Sequence, residues 1–469
     1  MSKPLLCRLF DLKNYKQLVV GYSGGLDSTV LLHALMQEPA LAAKILAVHI
    51  HHGLSPNADL WEAHCKSFCE TLGIPFLSRK VQIASSNNIE QQARDARYAV
   101  FCEIINTLDI YSQQLDFRLG ASEQAEGVYS QYMTDGERTG NNAENSRTKS
   151  ILLLGHHADD QAETVLYRLL RGSGVDGLAA MKPCSTFQHI SICRPFLSYS
   201  KAQLKQYALQ QHLAYIEDES NQNLSFDRNY LRHQLLPNIE QRFPQVQQQL
   251  QKLAQHSQEA QENLQALAFL DCPALSAGEP RLCLEPLLDL PLSRLKNVLR
   301  TWLKQCKQAM PSQNSLDKII HEVIFSKPEA KPQLSLGEYW LRRYQKKIYL
   351  LPKKTQVTLH PVVWENFPEP LSLPGGILSA MPTEEGLHIP SNITPHIQYR
   401  PQKASFFWRQ QHKSLKNIFQ TLHMPPWERE TWPLLYLEDT LAAIPNYLVS
   451  DHFYRKNAKV WRVTYKEHT

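Results

Sequence analysis

Leu18-Val19-Val20-Gly21 runs directly into Tyr22-Ser23-Gly24-Gly25-Leu26-Asp27-Ser28-Thr29, and Val30-Leu31-Leu32 follows at once. Three apolar residues bounded by Gly21 predict a short buried strand, and Val30, Leu31, Leu32, Ala34 and Leu35 predict a helix. The join is therefore a strand, a tight turn and a helix start. Gly24 and Gly25 allow positive φ and carry no side chain to hold a ligand off the backbone, so successive N–H groups can converge on an anion. The helix N-terminus adds its partial positive charge, and Ser23 and Ser28 can supply hydroxyls to phosphate oxygens. Asp27 is out of place beside an anion unless it holds a cation such as Mg2+ against the phosphates.

A Walker loop requires Gly-Lys-Ser/Thr, and no lysine stands in this turn, so the γ-phosphate grip of a kinase or GTPase is missing. The sextet Ser23-Gly24-Gly25-Leu26-Asp27-Ser28 resembles the pyrophosphate loop (PP-loop) of the ATP pyrophosphatases. These enzymes cleave ATP between the α and β phosphates to form an adenylated intermediate. The loop by itself does not choose among them.

With 469 residues the chain has room for roughly three domains. Its 43% hydrophobic and 20% charged residues describe a soluble globular protein. The formal charge of +5 suits a polyanionic partner. The start, Met1-Ser2-Lys3-Pro4-Leu5-Leu6-Cys7, is too short and interrupted for a signal peptide, and no apolar run approaches the ~20 residues of a membrane span. A cytoplasmic protein without a membrane partner is expected. The nine cysteines include no Cys-x-x-Cys pair. Cys65 and Cys69, one helical turn apart beside His64, read as core rather than as metal ligands.

Along the chain, residues 44–50 form a second strand that ends in His49, His51 and His52, at the sheet edge where nucleotides collect. A helix over 59–72 and a strand over 75–81 follow. Glu90, Arg94 and Arg97 share one helical face, from which the arginines could grip phosphate, neutralise developing charge or simply form surface salt bridges. Residues 115–150 are polar and poor in aliphatics, and read as a surface insertion that takes no part in the chemistry. Ile151-Leu152-Leu153-Leu154-Gly155 then opens on His156-His157-Ala158-Asp159-Asp160-Gln161-Ala162-Glu163-Thr164. In this second strand-to-helix turn the carboxylates could hold Mg2+, hold an ammonium group or cap the helix.

From Arg228 the character changes. Long amphipathic helices starting near Val246 and Leu288 lead to a basic, aromatic hairpin over 340–354, whose rings could stack bases or merely face solvent. Residues 355–395 are Pro-rich with short apolar strands. The last segment carries Phe406, Phe407, Trp408, Arg409, Lys413 and Lys416. The fold expected is α/β, with a doubly wound parallel-sheet PP-loop domain over 1–222, a mainly helical domain over 223–354 and a small α+β domain over 355–469.

Beyond the loop at 23–28, the chain carries His51-His52, Glu-x-x-Ala-Arg-x-x-Arg-Tyr at 90–98, Gly-His-His-x-x-Asp-Gln-x-Glu-Thr at 155–164, Asp-x-Ser-Asn at 218–221 and Arg-Asn-x-x-Arg at 228–232. Lys413-Ser-Leu-Lys416 and Pro425-Pro426-Trp427 follow in the tail. In this order and spacing the motifs resemble the tRNA(Ile)-lysidine synthetases over nearly the whole length.

The resemblance implies that lysine is joined to C2 of the wobble cytidine of a CAU-anticodon tRNA(Ile), with ATP and Mg2+, through an adenylated cytidine. It assigns ATP to Ser23, Gly24, Gly25, Leu26, Asp27, Ser28 and His51, with Asp27 holding Mg2+. Asp27 and Arg97 would be catalytic, and Asp160 and Glu163 would hold lysine. Arg228, Arg232, Arg409, Lys413 and Lys416 would bind tRNA, and a homodimer stays open. A PP-loop tRNA thiolase is the alternative within the superfamily, although the paired cysteines usual for that chemistry are absent. A non-catalytic tRNA-binding protein would leave Asp27 unexplained.

Overall fold

The strand predicted at the PP-loop is β1, Gln17–Gly21, and it lies at the centre of a sheet with β2 (Ile45–His51), β3 (Phe76–Lys80), β4 (Ser150–Leu153), β5 (Cys184–Phe187) and β6 (Ile190–Cys193). In this computed structural model, which describes residues 12–53, 55–82, 89–119, 149–308, 311–327, 330–353, 359–399 and 404–467, the strand order is β3-β2-β1-β4-β6-β5. All neighbours are parallel except the β5–β6 edge pair. Leu18 and Val20 pack to one side with Leu31, Leu35 and Phe196, while Val19 packs to the other with Phe101, Ile105 and Leu152. Burial of both faces explains the uninterrupted Leu-Val-Val run. The chain turns from β1 to β2 on one side and reaches β4 on the other, so the carboxyl end of β1 is the topological switch point where ligands of such sheets bind.

Two compact units divide at Pro273/Ala274. The first includes the helix Val246–Asp271, whose Leu250 and Ala254 pack against Val165 and Leu166 of the helix Ala158–Leu170. Gln258 Nε2 donates to the carbonyls of Ala179 and Met181 at 2.7 and 3.0 Å. The helix Ile89–Leu119 runs past residue 115, into the stretch read as an insertion. The rest of that insertion, 120–148, lies outside the described residues.

In the second unit the helix Leu292–Gln305 buries Leu295, Val298, Leu299 and Trp302, and a sheet in the order β7 (Arg281–Cys283), β10 (Lys347–Pro352), β9 (Tyr339–Tyr344), β8 (Gln333–Leu336) follows. The basic hairpin is thus β9–β10, but Tyr344 and Tyr349 do not form a free stacking face. Trp427, from the Pro-Pro-Trp motif, packs edge-on to Tyr349 and Tyr344 at centroid distances of 5.2 and 6.1 Å, with the Arg342 guanidinium 5.5 Å from its own ring centre. Arg343 donates to the carbonyls of Ile324, Ser326 and Lys327, closing a helix end.

The Pro-rich stretch also departs from expectation. It contains a 12-residue strand, β13 (Gly376–Leu387), which pairs with β20 (Tyr454–Glu467). A five-stranded sheet built on β14 (Pro395–Gln398), β17 (Leu434–Leu437) and β18 (Thr440–Ile444) shares with the helix Leu415–Thr421 a core of Phe406, Ile418, Leu435 and Ile444. The hairpin β15 (Ser405–Trp408) and β16 (Gln411–Ser414) lies beside it.

Candidate active site

The two strand-to-helix turns predicted from sequence meet at the switch point. Gly24 has φ +82°, and a Cβ there would stand 2.8 Å from both Cys65 Sγ and Ile216 Cδ1, so glycine is required by conformation and by space. Gly25 differs from expectation: its φ is −72°, and a Cβ there would meet nothing nearer than 3.5 Å. Its N–H and that of Ser23 are held at 3.4 and 3.2 Å by the Ser23 and Ser28 hydroxyls. Those hydroxyls are 3.1 Å apart, and Ser28 Oγ also donates to Gly25 O at 3.1 Å, so hydrogen bonds shape the loop. Leu26 is buried and anchors the helix start to the core.

Gly155 is a residue that motif reading undervalued. A Cβ there would lie 3.0 Å from the carbonyl carbon and oxygen of Asp27, so the second turn can abut the first only because it begins with glycine. The contact brings His157 Nε2 to 3.6 Å from Asp27 Oδ2. His157 caps the helix Ala158–Leu170: its Nδ1 accepts from Asp160 N at 3.3 Å, and its own N–H donates to Asp160 Oδ2 at 3.0 Å. Burial works to lower the imidazole pKa, but Asp159, Asp160 and Asp27 outweigh it and raise it above 6.5. Asp159 accepts from Lys201 N at 2.8 Å. Burial pushes its carboxyl up, and the His157 imidazole, 3.5 Å away, together with the Lys201 N–H brings it below 3.8.

Burial raises the Asp27 carboxyl above 3.8 against the pull of His157, and Asp27 Oδ1 is buried with no hydrogen-bond partner. An orphaned carboxylate oxygen beside a phosphate-type loop fits a divalent cation such as Mg2+. Asp160 and Glu163 lie one turn apart on the next helix. Glu163 is 3% exposed, and burial raises its carboxyl above 4.5 although Arg232 opposes the shift. Arg232, on the π-type turn Leu231–Leu235, donates Nε to Glu163 Oε1 at 2.6 Å and Nη2 to Asp160 Oδ1 at 3.2 Å. The arginine expected on tRNA thus sits, partly exposed, between Asp160 and the buried Glu163.

Burial, and then Arg97, push the His52 imidazole down to about 4. Burial also depresses His156 against the pull of Asp160, with Arg194, Arg228 and Arg94 adding to the effect. Arg194 was not legible as part of this group. It is buried and holds the carbonyl of Lys182 and the hydroxyl of Ser185 at 2.9 Å. His51 directs Nε2 to Asp59 at 3.1 Å, and Lys80 approaches the same carboxylate to 2.9 Å and Glu62 to 4.0 Å. This His51–Asp59–Glu62 cluster is therefore already charge-compensated by a lysine. Cys65 and Cys69 are buried, and burial pushes their thiols up to about 12, as core cysteines require. Arg409, Lys413 and Lys416 belong to the second unit, on the β15–β16 hairpin and the helix that follows it.

A PP-loop domain model matches residues 3–113 and 141–239, a TilS substrate binding domain model residues 282–349, and a TilS substrate C-terminal domain model residues 396–465. A tRNA(Ile)-lysidine synthase of Legionella pneumophila (strain Lens) is 39% identical over 469 residues, covering 99% of both chains. The chain belongs to the tRNA(Ile)-lysidine synthase family. Members from Actinobacillus pleuropneumoniae serotype 3 (35% identical, over 92% of this chain and 96% of the relative) and Escherichia coli O157:H7 (34%, over 91% of each) are also similar. Family membership makes the chain a carbon–nitrogen ligase, and among the described residues no helix is long and apolar enough to cross a membrane.

Proposed function

We propose that the chain joins L-lysine to C2 of the wobble cytidine of a CAU-anticodon tRNA(Ile), using ATP, and works in the cytoplasm. The observation that carries this reading is the cation seat formed by Asp160 and the buried Glu163, abutting a PP-loop whose Asp27 has an unpartnered carboxylate oxygen. Kinase or GTPase chemistry calls for no such seat, whereas an enzyme that consumes a lysine ε-ammonium does.

Ser23, Gly24, Gly25, Leu26 and Ser28 cradle the α and β phosphates of ATP, and Asp27 would hold the Mg2+ that offsets their charge. Cytosine O2 attacks the α-phosphorus, the bond to the β-phosphate oxygen breaks, and pyrophosphate leaves. Arg97 faces the charge that develops on the phosphates. Asp160 and Glu163 take the lysine ammonium from the place now filled by Arg232. Once the ammonium has passed a proton to one of these carboxylates, the ε-amine attacks C2, gives a second proton to solvent and expels AMP. Arg228 and the freed Arg232 face the anticodon backbone, and Arg409, Lys413 and Lys416 contact tRNA phosphates elsewhere. We assign residues 1–222 to the chemistry, and 223–354 and 355–469 to tRNA.

Thiolase chemistry fits less well, because the buried neutral Cys65 and Cys69 are no nucleophiles. The deciding experiment is pyrophosphate release measured with lysine or tRNA left out. Sustained release over many turnovers should require both, with no more than one equivalent per enzyme when only lysine is left out, and sustained release with sulfide in place of lysine, or with tRNA alone, would overturn the reading.

A further inference from the structure

A cavity of about 640 Å3 lies in the C-terminal domain, between the β15–β16 hairpin and the edge of the five-stranded sheet. It is within the roughly 300–1,000 Å3 range of small-ligand sites. Phe407 and His412, paired across the hairpin, form one side. The His452 ring stacks on Phe407 at a centroid distance of 4.0 Å and 19°. Tyr436, 5% exposed, lines the interior, and its hydroxyl is buried without a hydrogen-bond partner. Burying a hydroxyl with nothing to bond is costly, so it marks a place where a ligand's polar edge belongs. Gln398 and Asp439 complete the polar lining.

The frame is held in place. The Ser450 hydroxyl and the Asp451 N–H both donate to Phe407 O at 3.1 Å, and Asp451 Oδ2 accepts from Gln410 N at 2.8 Å. Arg409 and Gln410 form the hairpin turn at φ +51° and +59°, a conformation usually left to Asn or Gly. It places Arg409 and Lys413 over Trp408, at 4.4 and 4.8 Å from the ring centre. Cations thus stand at the rim of the hairpin, while the cavity lining offers aromatic faces, a hydroxyl, an amide and a carboxylate. The Asp439 carboxylate disfavours phosphate inside the cavity and suits the N–H edge of a base.

We propose that this cavity receives one unpaired nucleobase of the substrate tRNA, outside the anticodon, stacked on the Phe407–His452 pair and bonded at its edge by Tyr436. A base within a stem is already stacked and paired, whereas an unpaired one enters at little cost. The assignment rests on the functional reading above and adds a base-recognition site to it.

The test uses the full chain and a transcript of the CAU-anticodon tRNA(Ile). Photocrosslinking should join peptides containing Phe407 or His452 to an unpaired nucleotide outside the anticodon. His452→Ala and Tyr436→Phe together should weaken binding about ten-fold without changing its salt dependence, because stacking and edge contacts release no counterions. An abasic substitution at the crosslinked nucleotide should cost the same and should not add to the double variant. Tyr436→Phe alone should melt no lower than the unaltered chain, since only an unbonded hydroxyl is removed, which guards against a folding artefact. Normal lysine-dependent modification with crosslinks confined to stems, or with unchanged affinity in the double variant, overturns the pocket and leaves the functional reading standing. Absence of lysine-dependent pyrophosphate release from the unaltered chain overturns both.

Discussion

Glu163 and Arg232, 69 residues apart in sequence, are joined by two hydrogen bonds, Nε to Oε1 at 2.6 Å and Nη2 to Oε2 at 2.9 Å. A planar guanidinium matches a carboxylate in this way, and the same geometry shows that the site tolerates a cation beside a deeply buried acid. Removing either partner should therefore have different consequences.

Glu163→Ala should raise the lysine KM roughly 10- to 100-fold, the worth of about 1.5–3 kcal/mol for a hydrogen bond to a charged group, with little change in the ATP KM. Steady-state kinetics varying each substrate in turn would check this. Equal loss for both substrates would place the carboxylate at the metal instead.

Arg232→Ala leaves Glu163 buried and uncompensated. Breaking such a pair costs about 3–5 kcal/mol when both groups are fully buried, and the cost should fall toward the low end here because Arg232 is 28% exposed. Burial already raises the Glu163 carboxyl above 4.5, and loss of its partner raises it further. A carboxyl raised on folding stabilises only while it can hold its proton, so the deficit should be small near pH 4 and grow as pH rises through the folded pKa. Thermal melts at pH 4.5, 6 and 8 would show the trend, and a deficit independent of pH would refute it.

Asp27→Asn should abolish pyrophosphate release while leaving the fold intact. Because burial raises the Asp27 carboxyl, its charge opposes folding above the folded pKa and no longer does so below about 3.8. The variant should melt no lower than the unaltered chain at pH 7, and the difference should close as pH falls toward 4. Pyrophosphate release at the normal rate would remove Asp27 from the chemistry.

Gly24→Ala and Gly25→Ala should separate conformation from ligand approach. Alanine at 24 must adopt φ +82° and press a methyl group within 2.8 Å of Cys65 and Ile216, so about 1–3 kcal/mol of stability should be lost. Alanine at 25 meets no close atom, so that variant should melt normally and lose only ATP affinity. Paired melting and nucleotide-binding measurements would decide, and a destabilised Gly25→Ala would overturn the distinction.

Arg409, Lys413 and Lys416 replaced together by alanine should weaken tRNA binding and reduce its salt slope by about one for each phosphate no longer neutralised, leaving ATP binding unchanged. Titrations at several salt concentrations would measure both effects. An unaltered slope would mean that these side chains do not meet phosphates.

What the sequence determined by itself is local. The Leu-Val-Val run, the Ser-Gly-Gly-Leu-Asp-Ser turn and the His-His turn before Ala158 specify a buried parallel strand, a glycine turn and a helix start, because strand period, turn conformation and helix period depend on residues a few positions apart. The order of the motifs was enough to place the chain in its family. Three-dimensional packing decided the rest. Gly24 and Gly25 look alike in sequence, and only the approach of Cys65 and Ile216 separates them. Arg232 reads as a tRNA contact until the π-type turn folds it onto Glu163, and Tyr344 and Tyr349 read as either a stacking or a solvated face until Trp427 covers them. Each of these outcomes joins residues tens of positions apart, and which distant groups meet is set by how the elements pack, which no local periodicity records.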